Sequence, residues 1–234
     1  MSGRLYGLGI GPGDPELITL KALRLLRACP VLAFPAPESG DSLARSIVAP
    51  HLPGNQTEYA IRMPFSAECF PARAIYDEAA KDLGAHLEAG RDVAVLCEGD
   101  PFFYGSFIHL FDRLAARFPV EVVPGVSSLT AGAAALGQPL ASRNDVLTVI
   151  PAPLDDDAIA ARLAQSDAAA IIKPGRHGPR IVALLTKLGL AGRARYVERA
   201  TMQNQRILTL EQIDPQTMPY FAMILVHRTD GAPR

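Results

Sequence analysis

The chain has no tryptophan, and aromatic residues make up only 6% of it. Its three cysteines, Cys29, Cys69 and Cys97, are odd in number, widely spaced and without a CxxC pair. That fits reduced core thiols of a cytosol-type compartment better than a disulfide frame, so a cytoplasmic location is expected. The five histidines, His51, His86, His109, His177 and His227, form no HxxxH or HExxH pair, and no Cys-His spacing resembles a zinc site. No metal is therefore expected. There is no GxSxG elbow and no Ser-Asp-His order that would mark a nucleophile. Net charge is also lacking: 23 basic against 24 acidic residues give -1, which argues against a nucleic-acid partner. Arg or Lys interrupts every apolar run before the ~18 residues a membrane helix needs, so no membrane partner is expected. The start, Met-Ser-Gly-Arg, runs into a strand-like segment and carries no secretory pattern.

Lysine is scarce as well. Only Lys21, Lys81, Lys173 and Lys187 are present, so arginine dominates the 23 basic residues, beside abundant Ala, Gly and Pro. The base composition of a GC-rich gene produces that bias by itself, and arginine richness is weak evidence for an anionic ligand even though arginine is the better bidentate carboxylate binder. Without a nucleophile or a metal site, the sequence favours chemistry in which one substrate attacks another and the protein aligns them.

What is present is an alternation of strands and helices. With 49% hydrophobic and 20% charged residues over 234 positions, the chain has enough apolar mass for one large domain or two small ones. Strands are predicted at 4–10, 30–34, 58–63, 92–97 and 120–123. Helices are predicted at 15–28, 41–49, 70–89 and 102–117, the first capped by Asp14 with Pro15 in its first turn. Such alternation implies a mainly parallel sheet covered on both faces. The pattern restarts with strand 146–150, helix 155–165, strand 168–172, helix 178–188 and strand 193–198. Two consecutive strands, 206–210 and 219–227, close it and point to a mixed sheet. The expected division is 1–124 and 125–234: two α/β domains, the first mainly parallel and the second mixed. The run Asp155-Asp156-Asp157 reads as a helix N-terminus.

Three glycine-centred turns follow predicted strands. Gly7-Leu8-Gly9-Ile10-Gly11-Pro12-Gly13-Asp14-Pro15 fails the dinucleotide fingerprint, because the third glycine falls on Pro12, and it is no P-loop. It offers either a tight turn with a helix cap or a place where backbone meets a ligand without Cβ obstruction. Cys97-Glu98-Gly99-Asp100-Pro101-Phe102-Phe103-Tyr104-Gly105-Ser106 puts a carboxylate beside three aromatics, which suits an organic cation carrying a flat group. The same residues also read as an N-cap, a first-turn proline and core rings. Val123-Pro124-Gly125-Val126-Ser127-Ser128-Leu129-Thr130 places hydroxyls at the start of the small-residue helix Ala131-Gly132-Ala133-Ala134-Ala135, near the domain junction. Capping explains one serine, and the remaining hydroxyls suggest a polar ligand wall.

Taken together, YGLGIGPGDPELITLKA near the start, CEGDPFFYGSF near 100 and VPGVSS near 125 resemble the tetrapyrrole (corrin/porphyrin) methylase family in order, spacing and context. The resemblance covers essentially the whole chain. It implies two α/β domains with a cofactor cleft between them, S-adenosylmethionine as methyl donor, and a homodimer. Phe34-Pro35-Ala36-Pro37, Asp41-Ser42-Leu43-Ala44-Arg45, the long stretch 51–90 with Arg62-Met63-Pro64-Phe65, and Glu98 before Gly99-Asp100 are similar to members that methylate precorrin-2 at C-20 in cobalamin synthesis. The Phe-Phe-Tyr-Gly-Ser-Phe form leans towards the metal-free substrate of the oxygen-dependent route and away from the cobalt-containing one. Another precorrin, a diphthamide-type protein side chain, or a non-catalytic nucleotide- or anion-binding role stand as alternatives.

By that resemblance Pro12, Gly99, Asp100, Phe103, Ser127 and Ser128 are expected against the donor, with Lys173 and Ala200 as a second-domain wall of backbone contacts. Lys173-Pro174-Gly175 departs from the family's apolar-Gly form, and a surface turn explains it equally. The small-molecule tetrapyrrole substrate bears eight carboxylates while the chain is almost neutral, so local arginines must recognise it. Arg45 and Arg62 are the candidates, with ordinary surface arginine as the alternative. The implied reaction is direct: an electron-rich meso carbon displaces methyl from a sulfonium, and alignment alone can supply roughly 7–11 kcal/mol at the upper end. No residue stands out as the base for the C-20 proton.

Overall fold

The structure, a computed structural model, describes residues 1–63 and 72–227. Pro64, Phe65 and Cys69 lie outside the described residues. The chain divides into two compact units, Met1–Ser127 and Ser128–Arg234, each with its own five-stranded sheet.

The first sheet is parallel throughout. Its strands are β1 (Leu5–Gly9), β2 (Val31–Pro37), β3 (Thr57–Met63), β4 (Val93–Cys97) and β5 (Val120–Val123), in the order β3-β2-β4-β1-β5. Alternate residues point to opposite faces, and both faces are apolar. Leu8, Leu32, Ala94 and Leu96 pack with Leu26 of α1 (Leu20–Ala28) and Ile47 of α2 (Leu43–Val48). Leu5, Ala33, Val93 and Val95 pack with Leu83 of α3 (Ala72–Glu88) and Phe107 of α4 (Phe107–Leu114). The crossovers β1-α1-β2 and β2-α2-β3 therefore cover one face. Those through α3 and α4 run back across the other, as right-handed connections require.

The prolines of β2 explain why this strand outruns the predicted 30–34. Val31–Ala33 pair with both β3 and β4, whereas the following residues pair with β3 alone. Pro35 and Pro37 sit in that one-sided stretch, where a missing N–H takes nothing from β4. Two helices also start later than predicted. Asp14 accepts from Glu16 N–H and caps only a short turn, Pro15–Leu17. The extended Ile18 then intervenes, and Thr19 caps α1 by accepting from Ala22 N–H. The expected helix from 102 begins at Phe107, because Tyr104 adopts φ +56 and breaks the helical path.

The second sheet is mixed. β6 (Leu147–Pro151) and β7 (Ala168–Ile172) are parallel, and β8 (Ala194–Glu198), β9 (Arg206–Thr209) and β10 (Ala222–His227) complete the order β6-β7-β10-β8-β9 with antiparallel pairings. One face buries Ile150, Ile171, Tyr196 and Ile224 against Ile159 of α6 (Asp156–Ala164) and Ile181 of α7 (Gly178–Lys187). The acidic run does open a helix: Asp155 Oδ1 accepts from Ala158 N–H at 2.7 Å, with Asp156 and Asp157 in the first turn. On the other face α5 (Ser128–Leu136) brings Gly132 so close that an added Cβ would lie 2.6 Å from the Met223 methyl.

Candidate functional site

The loops leaving β1 and β4 depart to opposite faces of the first sheet, because the chain runs outward over one face and back over the other. In open α/β sheets such a switch point leaves room for a ligand outside the carboxyl ends of the strands. All three glycine turns lie there. Ile10 N–H donates to the Cys97 carbonyl at 3.0 Å, and Gly99 N–H donates to the Gly11 carbonyl at 2.8 Å. Gly9 and Gly125 touch backbone to backbone: a Cβ on Gly9 would lie 2.4 Å from Gly125 N, and one on Gly125 would lie 2.1 Å from the Gly99 carbonyl oxygen. At these two positions the absent Cβ serves turn-to-turn packing. Gly7 is small for a further reason, since a Cβ there would sit 2.5 Å from the ring of the buried Phe107.

Asp100 ties the second and third turns together. Its Oδ1 accepts from Phe102 N–H at 2.9 Å and its Oδ2 from Gly125 N–H at 3.1 Å. The carboxylate thus closes its own turn and braces another; it does not cap a helix. Pro12 is buried, Phe103 is half-buried with its ring edge-on to Tyr104 at 5.1 Å, and Ser127 is half-buried after Gly125. Pro12, Gly99, Asp100, Phe103 and Ser127 therefore gather at one edge of the first domain.

Glu98, between β4 and these turns, accepts from its own N–H and from Ala44 N–H in the first turn of α2, and burial still pushes its carboxyl above the ordinary range. Burial also raises the thiol of neighbouring Cys97, which makes it an inert core group.

The arginine candidates separate. Arg45 lays Nε and Nη2 on the Glu58 carboxylate at 3.1 and 3.0 Å, which draws its guanidinium towards the amino-terminal end of β3. Arg62, near the carboxyl end of β3, donates from Nη1 to the Pro37 carbonyl at 3.0 Å. Only Arg62 lies by the edge that carries the glycine turns. A concavity of about 460 Å3, lined by Met1, Ser2, Arg4, Tyr6, Asp92 and Pro119, opens at the opposite, amino-terminal end of those strands.

The second domain has an edge of its own, carrying two of the candidates. Lys173 follows β7 with φ +57, and Ala200 follows β8 between two further left-handed residues, Arg199 (φ +50) and Thr201 (φ +69). Non-glycine residues adopt this backbone at a cost and collect where a turn is held by its surroundings. Gln205 holds this one by accepting from Thr201 N–H at 2.7 Å. Ser128 is exposed as the first residue of α5.

The sequence reading missed Glu198, Arg199 and the pair Tyr220-Phe221 at this same edge. A visible signal existed: two bulky aromatics directly before a buried strand, where the pattern has room for only one core ring.

The chain as a whole is similar to known proteins. A profile of the Tetrapyrrole (Corrin/Porphyrin) Methylases matches residues 4–214. The cobalamin biosynthesis protein CobIJ of Mycobacterium tuberculosis is 40% identical over 232 residues, 96% of this chain but 46% of that protein, so the chain spans about half the length of this relative. A precorrin-2 C(20)-methyltransferase from a Sinorhizobium species is 40% identical over 96% of this chain and 95% of its own. Among solved structures, a uroporphyrin-III C-methyl transferase from Thermus thermophilus complexed with S-adenyl homocysteine superposes with a TM-score of 0.71 at 26% identity, covering 97% of this chain and 98% of that one.

Proposed function

The chain belongs to the tetrapyrrole methylase family, and on that premise we propose that it transfers a methyl group from S-adenosylmethionine to the C-20 meso carbon of precorrin-2, giving precorrin-3A in cobalamin biosynthesis. The observation that carries this reading is the end-to-end similarity to a precorrin-2 C(20)-methyltransferase, matched over nearly the full length of both chains.

The residues present fit an adenosyl-type donor. The carboxyl edge of an all-parallel sheet at its switch point, lined by Pro12, Gly99, Phe103 and Ser127, is a place where backbone groups meet small polar ligands. The strained turns at Lys173 and Ala200, with Ser128, are the proposed second-domain contacts. When bound, the donor supplies an electrophilic methyl on a sulfonium. The chain's own task is alignment: Asp100 fixes the Gly125 turn, and the Gly9–Gly125 contact fixes both turns relative to β1. Arg62 is proposed to meet a substrate carboxylate. Arg45 joins it by exchanging Glu58, since exposed ion pairs are worth only about 0–1 kcal/mol and open readily.

Incubation with precorrin-2 and labelled donor, followed by mass spectrometry and carbon NMR, tests the reading. A label on C-20 supports it; transfer only to the cobalt-containing substrate moves the chain to the other branch of the route, and no transfer to either overturns it. A homodimer in the cytoplasm is proposed on family grounds, and a 25 kDa species in sedimentation at micromolar concentration would contradict the dimer. Among the described residues no helix is long and apolar enough to cross a membrane.

A further inference from the structure

The proposed reaction leaves a proton to be placed. Once C-20 has taken the methyl group and the electron pair of the S–CH3 bond has passed to sulfur, the hydrogen still on C-20 must leave as a proton. The strand order β3-β2-β4-β1-β5 narrows the place. The donor candidates Pro12, Gly99 and Asp100 follow β1 and β4, whereas Arg62, the substrate candidate, lies near the carboxyl end of β3. The reacting carbon therefore belongs between these ends, above β2 and β4.

On the face covered by α3 and α4, one buried side chain spans that interval. Tyr76 of α3, only 3% exposed, donates its O–H at 3.3 Å to Sδ of Met63, the last residue of β3. Its hydroxyl is also hydrogen-bonded to Ser106, in the turn between β4 and α4. His109, in the first turn of α4, lays its ring against Tyr76 with the centroids 4.7 Å apart. The residue is exposed, and helical side chains lean towards the start of their helix, which for α4 is the carboxyl edge of the sheet. Among the described residues neither ring nitrogen of His109 has a hydrogen-bond partner. His51 and His227, by contrast, each bond a backbone carbonyl, that of Pro15 at 3.1 Å and that of Pro139 at 2.9 Å. The charges beside His109 are matched to each other: Arg113, one turn on, donates from Nε to Asp77 at 2.6 Å and from Nη1 to the His109 carbonyl at 2.7 Å. Glu98, also at the end of β4, already accepts two backbone N–H groups and is held in place by them.

We propose that His109 is the base that removes the C-20 proton, and that Tyr76 is the positioning residue behind it. The lone pair of a neutral ring nitrogen forms the new N–H bond, the C–H bond breaks, and its electron pair returns to the macrocycle. The imidazolium then passes the proton to solvent, which its exposed position allows. Imidazole suits the step because it takes up and releases protons near neutral pH. Tyr76 contributes by holding the ring in one orientation, itself fixed by Met63 and Ser106. The proposal rests on the methylation reading above and supplies the step which that reading leaves open.

The test compares the full chain with His109→Ala, His109→Phe and Tyr76→Phe, each checked for an unchanged thermal midpoint. His109→Phe keeps a ring against Tyr76 but accepts no proton. Precorrin-2 with labelled donor gives KM and kcat, and calorimetry with S-adenosylhomocysteine gives the donor-side Kd. Both His109 variants should lose about a hundredfold or more in kcat, as removal of a general base does. KM and the donor-side Kd should stay within about twofold. With precorrin-2 deuterated at C-20, the isotope effect on kcat should rise above the wild-type value in both, because breaking the C–H bond becomes the slow step. Tyr76→Phe should show a smaller fall in kcat, an unchanged KM and a smaller rise in the isotope effect. If Tyr76→Phe unfolds, the exposed position His109 carries the test by itself. Wild-type kcat in His109→Phe overturns this inference alone, since the ring would then only pack. A lower kcat with an unchanged isotope effect overturns it too, because some other step would have slowed. A wild-type chain that methylates no tetrapyrrole overturns the reading beneath it.

Discussion

Asp100 Oδ2 accepts the N–H of Gly125 at 3.1 Å, joining turns that are twenty-five residues apart in sequence. Replacing Asp100 by Ala removes both its acceptors and strands a part-buried N–H, at a cost of about 1–3 kcal/mol. Asp100→Ala is therefore expected to lower the thermal midpoint and to weaken S-adenosylhomocysteine binding together, because the Gly125 turn loses its anchor. Asp100→Asn, which keeps an acceptor oxygen, should lose less of both. Calorimetry and thermal unfolding on the same preparations decide it: weakened binding without loss of stability would assign Asp100 to the ligand directly.

Gly9→Ala should be among the damaging small changes in the first domain. Its Cβ would lie 2.4 Å from Gly125 N and 2.8 Å from the Gly99 carbonyl oxygen, and both neighbours are backbone, which cannot swing aside. Overpacking of this kind costs about 1–3 kcal/mol. Gly192→Ala is the control, since nothing lies within 4 Å of its Cβ position. Urea midpoints should separate the two variants clearly, with Gly192→Ala near wild type.

Glu98 gives stability a pH dependence of known sign. Burial raises its folded-state carboxyl above the ordinary 4.5, so the folded chain holds its proton more tightly than the unfolded chain does. The contribution is complete below the unfolded value and is lost as pH rises through the folded one. Glu98→Gln cannot ionise and keeps an oxygen to accept the Ala44 N–H. The variant should therefore gain on wild type as pH rises from about 4 to about 7 in urea titrations. A constant difference across that range would show the carboxyl to be ordinary.

Arg45 and Arg62 should behave differently. Arg62→Ala is expected to raise the tetrapyrrole KM while leaving S-adenosylhomocysteine affinity intact, and Arg62→Lys to recover only part, because an ammonium has no two-pronged contact to offer. Arg45→Ala should do less, since the contact Arg45 makes with substrate is offset by the Glu58 pair it must give up. Equal effects of the two variants would mean that the Arg45–Glu58 pair opens fully when substrate binds.

Much of this was readable from residue patterns, because period-two apolar runs and glycine-rich ends are local signals. The ten strands emerge from them, as does the mixed character of the second sheet. What was missed depends on contacts between distant segments. The start of α4 at Phe107 depends on the left-handed Tyr104, at a residue type that gives no warning of it. The reason for Gly7 is the Phe107 ring, a hundred residues away in sequence. The pairing of Arg45 with Glu58 was not legible, because nothing in the helix of Arg45 reveals that partner. At the site, the turns themselves were legible, but Glu198, Arg199 and Tyr220-Phe221 become a cluster only once β10 is placed between β7 and β8.

That central position of β10 has a consequence for synthesis. Residues 222–227 are the last made of this sheet's five strands, yet they join the parallel pair β6-β7 to the pair β8-β9, which otherwise share no strand contact. While the ribosome is still short of them, the first domain has all five of its strands and can fold, whereas the second exists as two separate two-stranded fragments with bare edges. A nascent chain stalled before residue 222 should therefore present one finished domain and one unzipped half to chaperones and proteases. A chain that stops just short of residue 222 lacks one strand and with it the cohesion of the whole second sheet.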